Sequence, residues 1–402
     1  MTASLFIELA RRHDHWRTEE CINLIPSENI VSPQVRSLLS SDMGGRYTLP
    51  IGGEVHGVHV ENAYRGTRYA DEVQRKAEAL ACRIFHAAHA TLAPLSGHLA
   101  GMLMLSSLCR KGDTVLTLSS GHGGYDGYCE GYMPDLLGLK VAYLPFHPPS
   151  CNIRVEEACA MIHAVRPRLV ILGASYFPFP HPVRELAAAC SEADAALGYD
   201  AAHVLGLIPI FQHPLAEGAA IVVGNTHKTF WGPQGGIAMT NSPEIWDAML
   251  RNLTWRTVDN THLHRIAAVG HALLEFERFG AEYAAQVVRN AKALAGALDD
   301  HGIPIRFREH GYTASHQVLL DPERMPKELG LDCSELAIRL ERSNIITDAL
   351  GRLGTQEITR MGLREKEMSE LADLISQCAG GKDVSDGVKA LRERMQMCYV
   401  LS

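Results

Sequence analysis

Between residues 91 and 223, short apolar runs alternate with longer stretches whose apolar positions recur every three or four residues. The short runs predict strands at 114–118, 141–144, 169–172, 195–199 and 220–223, with a further one at 91–95 broken by Pro94. The periodic stretches predict helices at 97–108, 155–164 and 183–193. An earlier helix is predicted at 71–85, where Val73, Ala77, Leu80, Ala81 and Ile84 share one face. Short strands separated by helices of about ten residues or more imply βαβ units and a mostly parallel sheet. Strands buried on both faces explain the near-continuous apolar runs.

The flanks differ in texture. Residues 1–20 read as an amphipathic helix, and NLIPSENIVSPQV reads as an irregular segment ended by Pro33. Beyond residue 255 a long helix is predicted over roughly 262–298. Strands at PIRFRE and QVLLD, with helices at 334–342 and 366–378, then suggest a small α+β domain. The expected organisation is an N-terminal arm (1–30), a large α/β domain with a mostly parallel sheet (31–275), and a smaller α+β C-terminal domain (276–402).

Composition narrows the class. The 402 residues are 46% hydrophobic and 21% charged, ordinary for a globular protein. A net charge of −8 and the lack of a basic stripe argue against a nucleic-acid partner. No stretch reaches the ~20 apolar residues that span a bilayer, so no membrane role is expected. The start, MTASLFIELARRHDHW, puts apolar residues before basic ones, the reverse of a secretion signal. Ten scattered cysteines without a C-x-x-C pair fit reduced thiols, and the expected location is cytoplasmic. His56, His59, His262 and His264 match no recognised ligand spacing, and no metal is expected.

Open parallel sheets bind ligands at the carboxyl ends of their strands. Four polar groups fall at such ends: Ser96-Gly97-His98, His122-Gly123-Gly124, Asp200-Ala201-Ala202-His203 and Thr226-His227-Lys228. Each has a bland reading as a helix cap, a tight turn or a packed histidine. Together they form the parts needed for pyridoxal 5′-phosphate. A helix start with free amides suits the phosphate, an aspartate the ring nitrogen, a histidine the ring face, and a lysine the aldehyde.

INLIPSENIVSP, GHGGY, DAAHVLGL, NTHKTFWGPQGG and RLGTQEITRMG, in that order over roughly residues 20–370, resemble serine hydroxymethyltransferase. The resemblance implies the fold type I of pyridoxal-phosphate transferases and this cofactor. It implies that Lys228 tethers the cofactor, Asp200 faces the ring nitrogen, His122 stacks on the ring, and Ser96, Gly97 and His98 cradle the phosphate. His203 and Ser175 fall near the phenolic oxygen, and Thr226 and His227 belong to the cofactor-binding set. Arg352 corresponds to the fork for the substrate carboxylate, with Ser27, Tyr47 and Tyr64 as further substrate contacts. A small amino-acid substrate is implied, and a homodimer with shared active sites, since one tyrosine of the family site comes from the partner.

The chain also departs from that pattern. Leu49, in RYTLP, stands where the family has a glutamate that serves the substrate hydroxyl and folate-linked one-carbon transfer. ITDALGR, residues 346–352, is shorter than the family's folate-contacting loop. Asp259-Asn260 replaces Gly-Gly, Gln234 replaces an arginine, and His98 replaces a serine. Residues 51–69 are longer than usual and read as an edge hairpin with polar residues facing water; they supply Glu54, His56, His59 and Glu61 as alternative acids or bases. The leading expectation is (retro-)aldol cleavage or transfer at Cα–Cβ without tetrahydrofolate. The rival is β-elimination, as in a C–S lyase, or decarboxylation or deamination of a specialised amino acid. A non-catalytic binding protein is a third class.

Overall fold

The computed structural model describes residues 4–208, 210–254 and 256–401. The chain divides into two compact units, Ile30–Ala281 on one hand and Met1–Asn29 with Glu282–Ser402 on the other.

The first unit is built on a seven-stranded sheet. Its strands are β1 (His89–Thr91), β2 (Thr114–Thr117), β3 (Lys140–Tyr143), β4 (Leu169–Leu172), β5 (Ala196–Asp200), β6 (Ile221–Asn225) and β7 (Gly236–Thr240). They lie in the order β1-β7-β6-β5-β4-β2-β3. All pairings are parallel except those of β7, which runs antiparallel to β6 and β1. The helices Gly97–Leu108, Val155–Val165 and Val183–Glu192 match the expected βαβ connections. Helix Gly97–Leu108 is apolar nearly all round because it is buried: Leu103, Met104 and Leu108 pack on Val115, Leu169, Ile171 and Val223 of the sheet. Pro50–Val55 pairs antiparallel with Val58–Asn62 in a hairpin shorter than the expected 51–69, since a helix begins at Arg68; Glu54, His56, His59 and Glu61 face water, while Asn62 is buried.

The second unit joins the two chain ends. Ile22–Asn23 pairs in parallel with Ile345–Ile346, so the first 29 residues group with the C-terminal segment, whereas the sequence reading set residues 1–30 apart as an arm. Gln317–Leu319 pairs antiparallel with Arg352–Gly354, and helices Cys333–Arg342 and Glu365–Ala379 complete the layer. The expected strand at PIRFRE does not form. Phe307 adopts a left-handed φ of 62°, which breaks an extended run, and only an isolated bridge between Ile305 and Leu320 remains. The 38-residue helix Leu263–Asp300 carries the chain from one unit to the other. The expected N-terminal helix begins at Leu5, and residues 1–3 of that reading lie outside the described residues. Among the described residues no helix is long and apolar enough to cross a membrane.

Candidate active site

Strands β4, β5 and β6 each end at a cavity in the sheet-based unit, opposite the first turn of helix Gly97–Leu108. Six of the sequence-derived residues line it: Gly97, His98, Ser175, Asp200, His203 and Lys228. Tyr125 and Asn225, which the sequence reading did not single out, line it as well.

Lys228 sits in the turn beyond β6 with its Nζ 3.2 Å from His203 Nε2. Thr229 fixes that approach. Its hydroxyl donates to the His203 carbonyl at 3.0 Å and accepts from the Gly206 N–H at 3.1 Å, so the turns bearing lysine and histidine are stapled together. His203 lies in a turn rather than one helical turn along from Asp200.

Asp200, the last residue of β5, is 9% exposed. Its Oδ1 accepts from the Ala202 N–H at 2.8 Å and its Oδ2 from the Tyr128 hydroxyl at 2.9 Å. Burial pushes its carboxyl above the usual range, opposed by those two hydrogen bonds and by the nearby Lys228. A hydrogen bond to a charged group contributes about 1.5–3 kcal/mol, less than full burial of a carboxylate costs. The site therefore holds a carboxylate whose environment still favours a cationic partner.

The helix end shows what the cavity admits. Ser96 is spent as N-cap, its Oγ accepting from the Leu99 N–H at 3.1 Å, which leaves backbone amides of the first turn at the cavity wall. A Cβ on Gly97 would run into Asn225 Oδ1, and that oxygen is buried with no hydrogen-bond partner among the described residues. A glycine-cleared helix N-terminus and a buried unsatisfied acceptor suit a phosphorylated, hydrogen-bonding ligand. The residues present fit pyridoxal 5′-phosphate.

The remaining positions fall around this cavity or elsewhere. His98 Nδ1 lies 2.9 Å from the Tyr125 hydroxyl. The Ser175 N–H donates to the Gly123 carbonyl at 2.7 Å, tying the GHGG turn to the end of β4. His122 in that turn stacks on Phe146, ring centroids 4.8 Å apart, and does not line the cavity. Thr226 donates to the Pro233 carbonyl at 2.6 Å and closes the glycine-rich loop, while His227 is held neutral, its pKa pushed down to about 4 by burial and by Lys228. Neither lines the cavity. Tyr47 and Tyr64 are exposed at the foot of the hairpin, rings 5.5 Å apart.

Ser27 and Arg352 belong to the other unit, where motifs more than 300 residues apart meet. The Gly354 N–H donates to the Leu24 carbonyl at 2.7 Å, and Gln356 Nε2 donates to the carbonyls of Ile25 and Glu28 at 2.7 and 2.6 Å. The turn carrying Ser27 is thus tied to the segment that begins at Arg352. Arg352 Nε is held by Asp348 Oδ2 at 2.6 Å. Among the described residues no three His, Cys, Asp or Glu side chains come together as a metal site needs.

The profile described as serine hydroxymethyltransferase matches residues 6–375. Curated proteins of that name are similar over nearly the full length. That of Methanopyrus kandleri is 39% identical over 97% of this chain and 93% of its own. That of Methanocella arvoryzae is 39% identical over 91% and 88%. The solved structure of L-threonine transaldolase from Pseudomonas fluorescens, in its internal aldimine state, superposes with a TM-score of 0.88 at 26% identity, covering 99% of this chain and 93% of that one. The family match over most of the chain agrees with a cavity whose residues fit pyridoxal 5′-phosphate: the protein belongs to the serine hydroxymethyltransferase family and is a pyridoxal-phosphate-dependent enzyme of fold type I.

Proposed function

We propose that the protein cleaves or transfers the Cα–Cβ bond of a small α-amino acid without tetrahydrofolate. The observation that carries this reading is the set of Lys228, His203 and Asp200 around one cavity, kept whole while Leu49 replaces the family's glutamate. Leu49 is fixed at the foot of the hairpin, its N–H donating to Asn62 Oδ1 at 3.2 Å, and its side chain carries no proton to give or take. The likeness to an L-threonine transaldolase supports transfer at the Cα–Cβ bond.

Bound cofactor supplies a conjugated ring that takes up the electron pair left at Cα when a bond there breaks. Lys228 Nζ, oriented by His203 Nε2 at 3.2 Å, would hold the cofactor through its aldehyde and would be placed to move a proton at the substrate Cα. Asp200 would hold the proton on the ring nitrogen. Gly97 and His98 would offer amides to the phosphate, and Ser175, on the cavity wall, would contact the phenolic side by its family motif. By its motif alone, Arg352 corresponds to the residue whose planar guanidinium fork takes a substrate carboxylate, a geometry lysine lacks. The roles of Gly97, His98, Ser175, Asp200, His203 and Lys228 rest on the family motifs together with the cavity geometry, that of Arg352 on its motif only.

The test is a panel of β-hydroxy and β-thio amino acids, with and without tetrahydrofolate and added aldehydes, assayed for aldehyde, glycine, pyruvate and ammonia. Aldehyde and glycine, or an exchanged β-hydroxy product, formed equally without folate, are expected. Pyruvate and ammonia from thio substrates alone would establish the lyase reading instead. A strict folate requirement would remove the argument from Leu49.

Tyr47, Tyr64 and the apolar Val58 are exposed in the single chain, which supports a homodimer in which a second copy covers them. Sedimentation equilibrium is expected to return twice the chain mass, and a monomer at working concentration would withdraw that assignment.

A further inference from the structure

We propose that Tyr128 is a positioning residue for Asp200, and that position 101 is glycine to let its hydroxyl reach that carboxylate. The proposal rests on the reading that Asp200 serves the cofactor.

Tyr128 is 2% exposed and lies outside the cavity wall, so it has no direct access to a ligand there. Its hydroxyl donates to Asp200 Oδ2, while the Ala202 N–H holds Oδ1. With one donor on each oxygen, the carboxylate plane is fixed, and neither oxygen is free to turn away from the cavity. The phenol itself cannot swing, because its ring is enclosed and meets the Tyr125 ring edge-on at 5.6 Å and 82°.

Gly101 is the second, independent observation. It stands inside helix Gly97–Leu108, where glycine is disfavoured relative to alanine, and neither a cap nor a turn requires it there. A Cβ at 101 would lie 2.5 Å from the Tyr128 hydroxyl and 3.1 Å from two ring carbons. The helix therefore gives up propensity at the point where the phenol passes. Burial disfavours the ionised form of Asp200, and a donated hydrogen bond opposes that effect. Tyr128 thus sets both where the carboxylate points and how readily it stays charged.

The experiment compares Tyr128→Phe, Gly101→Ala, their double variant and Asp200→Asn. Each is read by titration of the apoprotein with pyridoxal 5′-phosphate, by kcat and KM, and by circular dichroism for folding. Tyr128→Phe is expected to weaken cofactor binding and lower kcat by about tenfold each, with KM within twofold, as loss of one charge-assisted hydrogen bond implies. Gly101→Ala is expected to act in the same direction. Phenylalanine removes the 2.5 Å clash with the hydroxyl and keeps only the tight 3.1 Å contacts to ring carbons, so Gly101→Ala should cost clearly less on the Tyr128→Phe background than on wild type, a non-additivity that independent packing damage would not give. If Tyr128→Phe binds the cofactor within twofold of wild type while Asp200→Asn binds it poorly, the proposal is overturned and the role of Asp200 stands. If Asp200→Asn itself binds and turns over normally, the reading of the site fails and takes this proposal with it. If Tyr128→Phe does not fold, Gly101→Ala decides, since it retains every polar group: normal cofactor affinity in that variant overturns the proposal.

Discussion

Lys228→Ala is expected to abolish the visible absorbance of bound cofactor and to lower turnover by on the order of 10³-fold or more. The argument is geometric before it is chemical. Lys228 Nζ enters the same cavity as Asp200 and the helix N-terminus, and it is brought there by Thr229, which bonds both flanking turns. The side chain is only half-buried, so its removal opens no core cavity and the apoprotein should fold normally. Loss of its charge also removes one of the groups that keep the Asp200 carboxyl from rising further. Lys228→Arg separates the two effects, because it keeps the charge and cannot condense with an aldehyde under these conditions. Absorbance titration with the cofactor, beside circular dichroism of the apoproteins, makes the comparison. Alanine and arginine variants that both lose the band establish the amine as the tether. An alanine variant with wild-type colour and activity within tenfold would remove Lys228 from the chemistry.

What the sequence made legible follows from how each signal is encoded. Helix 97–108 and strand 169–172 were readable to the residue because each carries an apolar run with polar residues at its ends, wholly buried in the strand and largely so in the middle of the helix. Strand β7 was not readable: GIAMT follows a glycine-rich loop and runs antiparallel at a position where the pattern suggested no further strand. PIRFRE alternates like a strand, yet the left-handed backbone at Phe307 is a local choice that alternation does not encode. The grouping of residues 1–29 with the C-terminal segment rests on a two-residue parallel pairing and on single bonds such as those from Gln356 to Ile25 and Glu28, none of which leaves a periodic trace.

The same holds for the site. Strand-end polar residues marked Asp200, His203 and Lys228, because topology alone sends strand ends to one place. Tyr125 followed the GHGG turn in plain view, but nothing in the chain tied it to His98, 27 residues earlier, before the hydroxyl–imidazole distance of 2.9 Å was known. Tyr128 gave still less, since its partner is 72 residues away and its passage depends on a glycine that reads as a mere helix defect. Contacts that couple one element to another through a single side chain have no period and so leave no pattern.

Asp200→Asn is expected to lower turnover by about 10²–10⁴-fold while making the cofactor-free protein more stable at neutral pH. The two effects have one origin. Asparagine keeps the shape and the bond from the Ala202 N–H, and the Tyr128 hydroxyl can turn to accept from its amide, so no polar group is stranded. What is lost is the charge that, in the proposed role, would hold a proton on the cofactor's ring nitrogen. That charge is costly without a cationic partner, because burial raises the carboxyl above its ordinary 3.8. Between 3.8 and the higher folded value, the folded chain binds more protons than the unfolded one, so this group's contribution to stability is full below that window and declines as pH rises through it. Asparagine has no such decline. Denaturant unfolding of the two apoproteins across pH should therefore show their stabilities diverging upward from about pH 4, the variant gaining, with the gap closing when pyridoxal 5′-phosphate is added to the wild type and stabilises it by binding. A variant that is less stable at every pH would mean that Asp200 supports the fold, and that its burial serves packing rather than the cofactor.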